Sequence, residues 1–331
     1  MNKTIFTAVP LAGASHQLHQ DFKDNLKKSF ISLIETIGKS LPEKVNLSQE
    51  KIENLDTQFK ISPAIYYIYF DLLASVRRND VSRVLQFLKY FDNIPQQDLY
   101  KHDLKIENIK EEFWEHELID NLESRELFEG APQTRLNKIT DNRIFNDNEE
   151  KIKQSLDIIK KLDPIFYQEV DSYLSDIKIH KGQYIVGLTS PKFFGCVFLS
   201  LPRQRDKNIY LYYIEHITHE TSHLNLNAIL LHDRLVINNA EAIYPAPIRK
   251  DLRPMLGVYH ASYVLSRVVR IFNKIKQSND YNEQLVFKGV DEKLEEFKSM
   301  FLKGIEVIEK HAVLTSFGKK IFDSMMECAN G

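Results

Sequence analysis

The chain has 331 residues, which is enough for about two domains of ordinary size. Its content of 43% hydrophobic and 27% charged residues is typical of a globular protein. The 44 basic and 46 acidic side chains give a net charge of −2, which excludes the large basic surface that binds nucleic acid in bulk.

The first half of the chain has apolar residues at helical spacing. One polar, turn-rich stretch at 130–150 interrupts this pattern and predicts a linker or a long surface loop. Pro63 directly follows Ser62, an arrangement typical of a helix start. The predicted helices of this part are 21–41, 63–78, 81–91, 111–119, 151–162 and 164–177.

The pattern then changes. The stretches 183–190 and 195–202 are short, apolar and bounded by Gly, Pro and Ser, which predicts strands. The stretch 208–214 fits either a third strand or the first turns of a helix. The remainder is helical apart from a proline-rich break near 244–254.

The pattern therefore predicts a mainly α fold, in which a helical N-terminal half and a small β-element precede a metal-binding helix and a helical C-terminus. We divide the chain into 1–148, a helical region that could bind a peptide, and 149–331, the region of the metal site. The two regions could also form one compact domain.

Cys196 and Cys328 are too few for a disulfide framework. No apolar run is long enough for a signal peptide or a membrane span. We therefore expect a soluble, cytoplasmic protein without a membrane partner. The sequence also lacks a Walker-type loop and a G-x-G-x-x-G motif, which argues against the common nucleotide-binding sites.

The histidines point to a metal site. Five of the eleven lie between residues 216 and 260, and among them His219, Glu220 and His223 form the motif H-E-T-S-H. Two histidines four residues apart lie on the same face of a helix, so both can bind one metal ion. Glu220 lies near the same site, where it could act as a general base or orient a ligand. The alternative is a solvated histidine pair on a helix.

A catalytic metal usually takes three protein ligands. We favour His260, which lies in the apolar helical run GVYHASYVLSRVVRIF, although a hydrogen-bonded core histidine would fit there too. Other candidates for the third ligand are His216, His232, Asp233 and Glu241.

Arg249 and Arg253 are four residues apart and lie between prolines, next in sequence to the metal-binding helix. Paired guanidinium groups near a metal are suited to binding a carboxylate in a bidentate manner. The alternative is an arginine pair on the surface.

The segments HETSHLNLNAILLHD (219–233) and YPAPIRKDLRPMLGVYHASYVLSRVVRIF (244–272) resemble the HExxH-motif peptide-modification proteins found beside ribosomally synthesised peptide precursors. Stretches 62–70, 187–201 and 312–325 extend the resemblance over most of the chain. Thr221 and Ser222 depart from the family, where apolar residues or alanine are common. The loop at 201–216 is also longer and more charged.

The resemblance implies an Fe(II)- and 2-oxoglutarate-dependent oxygenase that hydroxylates the β-carbon of a residue in a ribosomally made precursor peptide. His219, His223 and His260 would bind the iron, and zinc could replace it during purification. Arg253, with Arg249 as the second candidate, would pair with the distal carboxylate of 2-oxoglutarate. The sequence gives no oligomeric state.

Two other functions remain open. In a zinc hydrolase, His219 and His223 with His260 or Glu241 would bind the metal, and Glu220 would take a proton from the attacking water. In a non-enzymatic helical protein that binds a peptide, the metal would be structural or absent.

Overall fold

The computed structural model describes residues 5–110, 112–123, 136–182, 184–278 and 288–331, without the side chains at positions 43 and 46. The fold is mainly α, as predicted. The helices are α1 (Ala14–Gly38), α2 (Asn46–Glu53), α3 (Pro63–Arg77), α4 (Val81–Asn93), α5 (Phe113–Glu123), α6 (Asn142–Leu162), α7 (Pro164–Tyr173), α8 (Ile209–Leu230), α9 (Met255–Gln277), α10 (Val290–His311) and α11 (Ser316–Asn330). The strands are β1 (Lys60–Ile61), β2 (Tyr100–Lys101), β3 (Lys105–Asn108), β4 (Asp176–His180), β5 (Gly187–Leu188), β6 (Cys196–Ser200), β7 (Ile243–Tyr244) and β8 (Arg253–Pro254).

The chain forms two compact units, each assembled from separate stretches. Unit 1 contains residues 1–16, 146–172 and 202–331, and unit 2 contains 17–145 and 173–201. The division between residues 148 and 149 stays a prediction, as does the alternative of one compact domain.

Unit 2 contains a four-stranded sheet in the order β3-β4-β6-β5. Strands β3, β4 and β6 are parallel, and β5 pairs antiparallel with β6. Every residue of β4 and β6 is buried, as is usual for central strands of a parallel sheet. The predicted strand at 195–202 is thus confirmed as β6. Of the predicted strand at 183–190, only residues 187–188 form a strand, β5, among the described residues. Residue 183 lies outside the described residues.

Two sequence predictions are corrected, and one open alternative is decided. The predicted helix at 164–177 ends at Tyr173, and the chain continues into strand β4. The predicted loop at 130–150 is helical from Asn142 onward, and its residues 130–135 lie outside the described residues. The ambiguous stretch 208–214 is the start of α8, because the Asn208 side chain accepts hydrogen bonds from the backbone N–H groups of Tyr210 and Leu211 and so caps the helix.

In unit 1, α9 packs against α8, α10 and α11. Its buried residues surround most of the helix, which explains why the run around His260 is so apolar. This arrangement brings the two histidine-bearing helices, α8 and α9, side by side. Within the described ranges, no helix is both long enough and apolar enough to cross a membrane.

Candidate metal centre

One stripe of α8 remains accessible to solvent along a helix that is otherwise buried. After the first turn, its partly exposed residues recur at every third or fourth position, as the spacing of one helix face requires. These residues are Glu215, His216, His219, His223, Asn227 and Leu230. Both histidines of the H-E-T-S-H motif therefore line an accessible surface.

The imidazoles of His219 and His223 are in contact, as the four-residue spacing predicts. Their Nε2 atoms are 3.0 Å apart. Two nitrogen ligands about 2.1 Å from one ion are separated by about 3.0 Å at 90° and by about 3.4 Å at a tetrahedral angle. A hydrogen bond between the two rings has the same length, so the observed separation fits either a hydrogen-bonded pair or two ligands of one ion.

His260 of α9 lies beside this pair. Its ring centroid is 4.7 Å from that of His223. Its Nε2 atom is buried and has no hydrogen-bond partner among the described residues. A buried polar atom without a partner is unusual in a native protein, and an absent ion is one explanation. The donor set and the unpaired nitrogen both fit a metal ion held by His219, His223 and His260.

The three side chains do not form a completed site. Among the described residues, no three His, Cys, Asp or Glu side chains are grouped as a metal ion would require. The close pair of Nε2 atoms and the adjacent third ring nevertheless favour a metal centre. Rotation about χ2 of histidine costs little energy, so a ring can be reoriented without moving the backbone. The His260 ring must turn to complete the centre.

The environment keeps these imidazoles neutral. Burial lowers the pKa of His219 to about 3 and that of His260 to about 4, and neighbouring histidines contribute to the shift at His219. Burial, reinforced by His219 and His260, also lowers the pKa of His223. Since a metal binds the unprotonated ring nitrogen, these imidazoles are in the form that can bind a cation at neutral pH.

Glu220 differs from the flanking histidines because only 4% of its surface is exposed. Burial raises the pKa of its carboxyl group to about 8. The group is therefore mostly protonated at pH 7 in the metal-free protein, and a bound cation would lower this pKa. A protonated carboxyl group cannot act as a general base.

The positions of the other candidates for the third ligand argue against them and favour His260. His216 precedes His223 by two turns, about 10 Å along the helix, so one ion cannot bind both. The His216 Nδ1 atom lies 2.6 Å from the carbonyl oxygen of Tyr212. The remaining candidates lie at or beyond the C-terminal end of α8: Glu241 and Asp233 are exposed, and the ring of His232 packs against Phe6.

The two arginines also differ. Arg253 forms β8 directly before α9, and its Nη2 atom lies 2.6 Å from Oδ2 of Asp251. Its Nε atom is buried and has no hydrogen-bond partner in the described structure. Arg249 is exposed in the connection between β7 and β8. Arg253 thus has an unused donor that an anionic ligand could satisfy.

The sequence analysis missed a buried polar cluster between α8 and α9. It contains Arg267 of α9, which is 1% exposed and contacts Glu169 of α7 and Ser222 of α8. A signal was present in the sequence, because Arg267 interrupts the apolar run YVLSRVVRIF. A charged residue in a buried helix needs a partner.

The chain matches no model of a known protein family and no curated protein.

Proposed function

We propose that this protein is an Fe(II)- and 2-oxoglutarate-dependent oxygenase that hydroxylates the β-carbon of a residue in a ribosomally made precursor peptide in the cytoplasm. The observation that carries the proposal is the meeting of three neutral imidazoles from two helices, with the Nε2 atom of His260 left unpaired. Iron bound there would supply the chemistry that hydroxylates an unactivated C–H bond, with O₂ as the oxidant and 2-oxoglutarate as the co-substrate that is oxidised to succinate and CO₂. The metal ligands would be His219, His223 and His260.

Three protein ligands suit this chemistry because they leave coordination positions for small molecules. The partial exposure of all three imidazoles provides access for those molecules. The proposed role of the protein is to hold the ion from one side and leave the other side open.

Arg253 is the residue that we assign to the distal carboxylate of 2-oxoglutarate. Its guanidinium group has a buried Nε atom without an acceptor, and a planar guanidinium binds a carboxylate through two parallel hydrogen bonds. Asp251 already pairs with Nη2, so the incoming carboxylate would share the group with Asp251 or displace it. Arg249 is the weaker candidate because it is exposed.

The accessible stripe of α8 supports a polypeptide substrate. From Glu215 to Leu230 it extends for about 22 Å, which is far longer than a single amino acid. The histidines lie in its middle, so a chain lying along the stripe would pass the metal with residues on both sides.

A zinc hydrolase is the second candidate, because H-E-x-x-H is also the motif of zinc peptidases. That function needs an ionised Glu220 directed at a metal-bound water. Glu220 is buried and does not lie on the accessible stripe with His219 and His223, and this burial favours the oxygenase.

An anaerobic titration tests the proposal. The protein is stripped of metal, loaded with Fe(II) and titrated with 2-oxoglutarate, and a visible metal-to-ligand charge-transfer band is recorded. We expect a saturable band that is lost in His260→Ala and requires at least 10-fold more 2-oxoglutarate in Arg253→Ala, because a charge-assisted pair is removed.

His232→Ala is the matched control, since His232 lies in unit 1 and is not assigned to the centre, and Arg249→Ala tests the weaker candidate for the carboxylate. Both variants should retain the band. If no band forms, and the zinc-loaded protein cleaves peptides only with Glu220 intact, the protein is a hydrolase and the oxygenase proposal is wrong.

A further inference from the structure

Arg267 is the centre of a hydrogen-bond network on the buried side of the two histidine-bearing helices. Its Nε atom donates to Oγ of Ser222 at 3.1 Å, and its Nη1 atom donates to the carbonyl oxygen of Ala8 at 2.8 Å. The Nη1 atom also donates to the hydroxyl oxygen of Tyr263 at 3.1 Å, and Nη2 donates to the carboxylate of Glu169. One side chain therefore contacts α7, α8, α9 and the segment before α1.

The contacts of this network with α8 lie next to the metal-binding residues. Ser222 directly precedes His223 and follows His219 by three residues. A second bond between the helices runs parallel to the first, because the Tyr263 hydroxyl group donates to Oδ1 of Asn225. Each imidazole of the centre is thus within about one helical turn of a residue that joins α8 to α9.

Stability alone is a weak explanation for this network. A buried arginine–carboxylate pair loses much of its Coulomb energy to desolvation, and apolar residues of similar size often stabilise a protein as well. The better-attested use of such pairs is to specify one arrangement of the packed elements. Here the network fixes the arrangement of α8 and α9, the two helices that carry the histidines of the proposed metal centre.

We propose that Arg267 is the positioning residue of the metal centre. Its hydrogen bond to Ser222, together with the bond from Tyr263 to Asn225, fixes the separation of α8 and α9 at the height where the His260 ring lies beside His223. The Ser222 hydroxyl group serves both helices, because it accepts from Arg267 and donates to the carbonyl oxygen of Thr218 at 2.6 Å. This inference rests on the proposed metal centre.

The test measures metal affinity rather than turnover. Metal-free full-length protein is titrated with Co²⁺ under anaerobic conditions, and the dissociation constant and visible d–d spectrum are recorded. We expect Ser222→Ala to weaken Co²⁺ binding about 10-fold, as is typical when a residue that orients metal ligands is removed. Tyr263→Phe, which removes the second bond between the helices, should weaken Co²⁺ binding in the same direction.

Ser155→Ala is the matched control. Ser155 is also fully buried in unit 1, and its hydroxyl group donates to a carbonyl of its own helix, that of Lys151, at 2.8 Å. It lies on α6 and does not contact Arg267. The control should lose as much stability as Ser222→Ala yet bind Co²⁺ with the wild-type dissociation constant and spectrum.

Two failures can be told apart. If wild type binds Co²⁺ in a manner that requires His260, but Ser222→Ala and Tyr263→Phe bind it as tightly as Ser155→Ala, then Arg267 does not position the centre. If wild type shows no Co²⁺ binding that depends on His260, the metal centre itself is wrong, and the positioning role is wrong with it.

Discussion

At the scale of single residues, Glu220 provides a pH dependence that its neighbours do not share. Its folded-state pKa of about 8 lies above the ordinary value of 4.5. The metal-free folded protein therefore holds this proton more tightly than the unfolded chain does. The resulting stabilisation is complete below pH 4.5 and is lost as the pH rises through 8.

We predict that Glu220→Gln removes this loss. Between pH 6 and pH 9, the metal-free wild type should lose on the order of 2 kcal/mol of unfolding free energy more than the variant, at about 1.4 kcal/mol per pKa unit. Urea unfolding at a series of pH values measures the difference. Parallel curves for the two proteins would show that the carboxyl group is already ionised in the folded state.

The histidines of the candidate centre affect the stability of the folded protein at low pH. Their pKa values lie below the ordinary 6.5, so the unfolded chain takes up protons before the folded protein does. Stability from these groups is present above pH 6.5 and is lost as the pH falls toward 4 and 3. The pKa of Glu220 is thus raised while the pKa of the adjacent His219 is lowered, and the amino-acid composition alone does not reveal these opposite shifts.

At the scale of elements, the start of α11 depends on a glycine that packs against backbone. A Cβ atom at Gly318 would lie 2.0 Å from the carbonyl oxygen of Leu235. The same residue receives a hydrogen bond from the hydroxyl group of Tyr259 at its carbonyl oxygen, 2.8 Å away. The first turn of α11 therefore cannot move aside without breaking a contact with α9.

We predict that Gly318→Ala lowers the unfolding free energy by about 3 kcal/mol, because overpacking against backbone forces a shift of the chain. Gly257→Ala in α9 is the control, since its Cβ atom would meet Arg253 at an ordinary 3.4 Å and alanine favours a helix by up to about 1 kcal/mol. Thermal melts compare the two. Equal melting temperatures would contradict the close packing at Gly318.

Local sequence signals predicted the helices better than the sheet. Pro63 marked the start of α3, and the apolar run around His260 marked α9. Strand β4 was missed although Asp176, Lys178 and His180 alternate with apolar residues as in a strand, because the stretch is short and closely follows the helical pattern of α7. Those polar residues are buried through contacts with distant parts of the chain, such as Lys101 with Asp176, and a local pattern cannot show them.

The same limit applies to the site. The spacing of His219 and His223 predicted their contact, because four residues make one helical turn. The position of His260 beside them depends on how α8 packs against α9, which periodicity does not reveal. Arg267 was overlooked because its partners lie up to 259 residues away in sequence.

At the scale of the whole molecule, the two units share continuous helices. The boundary at 16/17 lies inside α1, and the boundary at 145/146 lies inside α6. A helix that belongs to both units links their unfolding, because its hydrogen-bonded turns form cooperatively. We therefore expect the chain to unfold in a single transition.

Trp114 reports on this linkage, because it is the single tryptophan of the chain and lies in unit 2, whereas the metal centre lies in unit 1. Metal at 100 times its dissociation constant adds about 2.7 kcal/mol to the folded state. We predict that Co²⁺ raises the melting temperature measured by Trp114 fluorescence in the wild type but not in His260→Ala. If Co²⁺ raises the melting temperature measured by circular dichroism of the helices but leaves that measured by Trp114 fluorescence unchanged, the units unfold separately.

The bond from Arg267 to the carbonyl oxygen of Ala8 has a consequence for the timing of synthesis. Ala8 leaves the ribosome long before Arg267 is made, and the backbone N–H of Ala8 finds its acceptor in Ser324, later still. The H-E-T-S-H helix is likewise translated before the helix that holds His260. Two of the three histidines of the proposed metal centre are therefore made before the third. The proposed centre can be completed only after translation has passed residue 267.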